Sequence, residues 1–153
     1  MNVKKLRILI CLSFLLLPAV VFAQSAAAMD ILLQEESLTF GSSAYLVLVG
    51  VGEVADDMSR SDAAEEAGSR IALFDGRSAD APISLGEFSY LLMEAAGRSG
   101  GLMYRFFPGP RYAARELAFQ GVIQGNAYPN TGLSGERALR IIERFTSQFG
   151  EEL

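Results

Sequence analysis

The chain has 153 residues, half of them apolar, with 13 basic and 18 acidic side chains, a net charge of −5, one Cys, and neither His nor Trp. That is one domain's worth of chain, able to bury roughly two thirds of its unfolded surface without disulfide or metal staples. The missing imidazole excludes Ser-His and Cys-His nucleophiles and the usual zinc sites, and the acidity opposes binding to a nucleic-acid backbone.

Lys4, Lys5 and Arg7 precede an apolar run from Ile8 to Leu17, then Pro18 and Val21-Phe22-Ala23. This order of basic, apolar and small segments predicts a secretory signal peptide over 1–23, cleaved after Ala23, with Ala28 as the alternative. Cys11 lies in its apolar part and leaves with it. The run is too short and too broken for a membrane span, so membrane contact is expected only through the leader before cleavage. Losing three of the 13 basic residues leaves ten, all Arg, against 18 acids. The expected product is thiol-free, carries a net charge of −8, and is periplasmic or secreted.

After an N-terminal segment, 24–39, the remainder reads as a compact all-α domain over 40–150. Residues 43–50, with Ala44-Tyr-Leu-Val-Leu-Val49, fit a buried strand or a buried helix, and periodicity does not separate the two. A helix is predicted over 59–73, with Ser59 or Ser61 as cap, Asp62, Glu65 and Glu66 early and Arg70 late, as the helix dipole favours. The clearest helix is 85–96, with Phe88, Leu91, Leu92 and Ala95 on one face and Ser84 and Glu87 in capping-box spacing. The linker 97–109 opens with Gly97, Gly100 and Gly101, continues with Tyr104, Phe106 and Phe107, ends at Pro108-Gly109, and reads as a packed loop. Pro110 suits the first turn of a helix over 110–120 that Gly121 stops. Ser134 is placed to cap the last helix, 134–149, whose inner face is Ala138, Ile141, Ile142, Phe145 and Phe149.

Gly50-x-Gly52-x-x-Ala55 follows an apolar run, and Asp75 lies 25 residues beyond Gly50, the spacing of a dinucleotide-binding turn. Glu53, Asp56 and Asp57 crowd that turn with like charge, and no strand-helix alternation follows. A tight turn after an apolar element is the better reading, and no cofactor is expected. No D-x-D-x-D-G loop is present, and no metal is expected.

Comparing segments within the chain pairs Gly41–Val54 with Gly109–Gly125: each has a Gly, an Ala-containing helix and a closing Gly. Gly86-Glu87 and Gly135-Glu136 then open the next helix in each copy, which favours helix for 43–50. Ile83-Ser84-Leu85-Gly86-Glu87-Phe88 and Gly121-Val122-Ile123-Gln124-Gly125 resemble the "I-T-R-A-E-F" and "G-I-I-x-G" motifs of the S-layer homology (SLH) repeat family. The resemblance implies an all-helical domain of two SLH-like helix-loop-helix repeats, 40–97 and 108–149, that binds a cell-wall polymer or an envelope protein. Leu85 and Ser134 replace the family's polymer-binding Arg, its Trp is absent, and two repeats where three are common imply self-association. The chain is also similar in style to small secreted spirochaetal envelope proteins of unknown role.

Glu87 and Glu136 stand in equivalent places and could serve as a glycosidase pair, but capping explains them without chemistry. The candidate ligand-binding cluster is Arg105, Arg111 and Arg115 with Tyr104, Tyr112 and Tyr128, since Arg forks suit carboxylates and aromatic faces suit sugar rings. Three functions follow in order: a non-enzymatic envelope module binding a wall polymer or envelope protein; an interaction or assembly factor presenting Leu102-Met103 and Phe106-Phe107; and a carboxylate glycosidase or nucleotide-dependent oxidoreductase.

Overall fold

The computed structural model describes residues 30–55 and 57–150, so the expected leader and both expected cleavage points lie outside the described residues. The full helices are α1 (Phe40–Gly50), α2 (Arg60–Arg70), α3 (Leu85–Ala95), α4 (Leu102–Phe106), α5 (Pro110–Phe119) and α6 (Gly135–Phe149). A 3-10 turn, Ala72–Phe74, follows α2, and residues 30–34 are helical. Among the described residues, pairing of extended backbone is confined to two isolated antiparallel bridges, Thr39 with Pro82 and Ser84 with Gly132. The domain is therefore all-α, as expected.

Helix α1 settles the ambiguity over 43–50. Every residue from Phe40 to Leu48 is buried. A helix surrounded on all sides by protein needs no polar face, so its sequence carries no helical stripe. The dinucleotide turn falls with the strand reading: Gly52, at φ +78°, closes α1, where the Gly52 and Glu53 N–H groups donate to the carbonyls of Val49 and Leu48. This is a glycine-terminated helix cap, a conformation costly for any residue with a Cβ. The predicted helix over 59–73 stops at Arg70, because Ile71 turns extended and buries. The 3-10 turn then carries Phe74 inward to stack on Phe40, ring centroids 4.9 Å apart.

The helix starts reveal the architecture. Thr39, Ser84 and Ser134 cap α1, α3 and α6, and each side chain accepts from the backbone N–H of its helix's third residue. Leu38, Ile83 and Leu133, just before the caps, are all buried. The first amides of a helix have no partner within it and must find one elsewhere. Here the neighbouring loops supply them. Phe40 and Gly41 donate to Ala81 and Ala79, Leu85 and Gly86 donate to Thr131 and Pro129, and Gly135 donates to Glu35, all at 2.8–2.9 Å. The loop before α3 thus caps α1, the loop before α6 caps α3, and the segment before α1 caps α6.

The glycines report the same equivalence. A Cβ on Gly41 would meet the Arg60 carbonyl oxygen and Ala79, and one on Gly86 would meet the Pro110 carbonyl oxygen and Pro129. Arg60 and Pro110 are the first residues of α2 and α5. These contacts correct the internal pairing read from sequence: α1 corresponds to α3 and α6 and not to α5, whose counterpart is α2. What Gly41–Val54 shares with Gly109–Gly125 is the closing cap, since Gly121 and Val122 donate to Ala118 and Leu117 as Gly52 and Glu53 do in α1. The helices of each pair, α1 with α2 and α3 with α5, pack most extensively, and α1 also touches α3 and α6.

Candidate functional site

Helix α4 lies in the segment expected as a packed loop, and only one of its aromatic residues packs. Tyr104 is 3% exposed. Its ring lies 6.2 Å from Tyr90, and Tyr90 lies 6.4 Å from Phe74, which continues the row that begins at Phe40. The hydroxyl donates to Glu94 Oε1 at 2.6 Å. Burial first, and the Glu94 carboxylate second, push the Tyr104 pKa well above the ordinary phenol value. Its hydroxyl therefore stays a donor, fully engaged by Glu94.

With Tyr104 turned inward, the other side of this short helix faces out. Leu102, Met103, Phe106 and Phe107 are each at least 60% exposed. Leu102 with Phe106, and Met103 with Phe107, stand four residues apart and form one apolar strip. The Phe107 ring reaches Tyr112 on α5 at 6.2 Å.

The residues read as a ligand cluster lie on α4, on α5 and on the loop before α6. Arg105 is exposed and lines a cleft of about 330 Å³ with Glu94, Tyr104 and Met93. Arg111 and Arg115 are exposed on the outer face of α5, Tyr112 is half-buried beside Phe107, and Tyr128 is exposed on the loop before α6. Arg105, Arg111 and Arg115 form no ion pair among the described residues. The structure brings Tyr104 to Arg105 and Tyr112 to Phe107; it does not gather the six residues into one pocket.

Glu87 and Glu136 have separate structural duties. Glu87 accepts from the Ser84 N–H and hydroxyl, both at 2.8 Å, and from Arg77 at 2.6 Å. Burial pushes its pKa up, but the bonds from Arg77 and Ser84 outweigh burial and hold it below the usual carboxylate value. A carboxylate held ionised is unsuited to act as a general acid. Glu136 is mostly exposed and pairs with Arg140 at 3.4 Å.

No family model matches the chain, and no curated protein or solved structure matches it. The SLH resemblance thus rests on its motifs. Among the described residues, no group of three or more His, Cys, Asp or Glu could hold a metal ion, and no helix is long and apolar enough to cross a membrane.

Two features escaped the sequence reading. One is that residues 102–106 form a helix with a single inward side chain. The other is a second set of arginines, Arg137, Arg140 and Arg144, whose spacing of three and four residues places them on one face of α6. That spacing was visible in the sequence once the helix was assigned.

Proposed function

We propose that the protein is a non-enzymatic envelope module that works by docking a protein partner on α4. The observation carrying this reading is the exposed strip Leu102, Met103, Phe106 and Phe107, held in place by the buried Tyr104. Contiguous exposed apolar residues on a folded domain mark interaction surfaces more often than chance. Burying a Leu, Met or Phe side chain is worth roughly 1.5–3 kcal/mol, so four adjacent ones can anchor a partner. Arg105 lies on α4 itself, Arg111 and Arg115 lie on α5, whose Tyr112 meets Phe107, and none of the three forms an ion pair among the described residues. The partner that fits is an envelope protein segment with apolar side chains flanked by Asp or Glu, because the rim arginines attract and orient such charge.

The setting rests on the leader expected over 1–23 and on the motif resemblance to SLH repeats, with which an all-α fold is compatible. A cell-wall polymer is the alternative occupant that the resemblance implies. In vivo photocrosslinking from position 106 should trap a discrete envelope protein, and the purified pair should associate at least tenfold more weakly when Leu102 and Phe106 are both changed to Asp. Retention of the purified protein on cell-wall sacculi, abolished by Arg105→Ala and Arg111→Ala and indifferent to the Asp substitutions, would instead establish the polymer reading.

A further inference from the structure

Separate from α4, a cleft of about 280 Å³ opens between α6 and the turn after α5, lined by Gln124, Gly125, Arg137, Arg140, Ile141 and Arg144. Three of its six lining residues are arginines, in a chain whose net charge is −5. Three arginines elsewhere are neutralised: Arg60 meets Glu35 at 2.7 Å, Arg77 meets Glu87 at 2.6 Å, and Arg70 contacts both Glu53 and Glu66. In the cleft the arrangement differs. Arg137 donates to the carbonyl of Asn126, and Arg144 donates to that of Val122 at 3.4 Å. Both contacts brace a guanidinium with a neutral group and leave its charge uncompensated. Arg140 has only the 3.4 Å pair with Glu136, and both side chains are more than half exposed.

We propose that this cleft binds a single phosphate or diphosphate group. A carboxylate has two oxygens and occupies one guanidinium fork, whereas a phosphate monoester spreads close to two charges over three acceptor oxygens and can engage several arginines together. Braced arginines lose less freedom on binding than free surface ones. The acidity of the whole chain repels a long polyanion, so the fitting ligand is a short phosphate group and not a nucleic-acid strand.

Titration calorimetry of the full-length chain with inorganic pyrophosphate at low ionic strength is expected to show saturable one-to-one binding, with malonate much weaker. Arg140→Ala and Arg144→Gln should each weaken pyrophosphate about tenfold or more, the scale of one charge-assisted contact. Arg111→Gln and Arg115→Gln, on α5, should leave it within about twofold, as local recognition requires. The Leu102→Asp, Phe106→Asp pair should also leave it unchanged, so this result stands apart from the fate of α4. Circular dichroism melts of each variant identify any that misfold. Absence of saturable binding, or equal losses from the α5 and α6 variants, overturns the proposal. Sedimentation with phosphatidic acid vesicles, competed by pyrophosphate and absent with phosphatidylcholine, assigns the phosphate to a lipid headgroup. Pyrophosphate binding without sedimentation assigns it to a soluble phosphate compound.

Discussion

At the scale of single residues, Glu87 ties a helix start to a loop. It closes the capping box with Ser84 and meets Arg77, whose guanidinium also donates to the Pro82 carbonyl and lies over the Phe40 ring at 5.5 Å. Because its folded pKa lies below the unfolded value, its contribution is full above the ordinary carboxylate pKa and is lost as pH falls through the lowered one. In urea melts, Glu87→Gln is expected to be less stable than the parent at pH 7, with the gap closing as the solution is acidified. A gap independent of pH would refute the ionic role. Gly135 gives a steric counterpart. A Cβ there would run into the Leu32 carbonyl, backbone that cannot swing aside, while one on Gly132 meets nothing within 4 Å. Gly135→Ala should cost at least about 1–3 kcal/mol in urea melts and Gly132→Ala under about 0.5 kcal/mol. The box was legible in S-x-x-E spacing, which is local; Arg77 was not, because a partner ten residues upstream leaves no spacing signal.

At the scale of elements, α4 shows where reading a sequence stops. A helix of five residues is far below the length that holds itself together, so its existence depends on packing and not on propensity. The aromatic content of 104–107 was plain, but which ring faces inward is decided by the row Phe40, Phe74 and Tyr90 assembled from three other segments. Tyr104→Phe should destabilise by about 1 kcal/mol, since it removes the hydrogen bond to Glu94, whose exposed carboxylate water can still solvate. It should also accelerate amide exchange at Phe107, whose N–H bonds Met103 in this helix. The raised Tyr104 pKa adds an alkaline signature: its contribution holds below the ordinary phenol value, about 10, and is lost as pH climbs beyond it. The Phe variant should lack that alkaline decline. Helices α3, α5 and α6 were legible to within a residue or two because each has one apolar face and recognisable caps. Helix α1 has no such face, because burial on every side removes the period that identifies a helix, and only the comparison of segments within the chain favoured helix there.

At the scale of the whole molecule, the starts of α1, α3 and α6, each capped by a Thr or Ser side chain, are finished by carbonyls from another part of the chain. Such mutual dependence predicts one cooperative unfolding transition, with calorimetric and van't Hoff enthalpies in agreement. Truncation after Gly125 should abolish the transition altogether, since it removes the acceptors Pro129 and Thr131 of α3 together with Leu133, whose carbonyl receives the Leu38 N–H. Two resolved transitions would show that the helix pairs fold independently. Recurrence of a helix start was legible in the comparison within the chain that paired Gly86-Glu87 with Gly135-Glu136. The count and register were not, because Thr39-Phe40-Gly41 and Ser134-Gly135 share few letters with Ser84-Leu85-Gly86, and their likeness lies in which amides need an acceptor. The order of these bonds has a consequence for assembly. Each contact joins the front of one unit to the back of the next, the head-to-tail kind of association that forms an open filament unless its rotation closes. Here closure comes at three, within one polypeptide, as a cyclic trimer would close with separate subunits. Among the described residues, the starts of α1, α3 and α6 all find their acceptors within this ring, unlike the open ends of a solenoid.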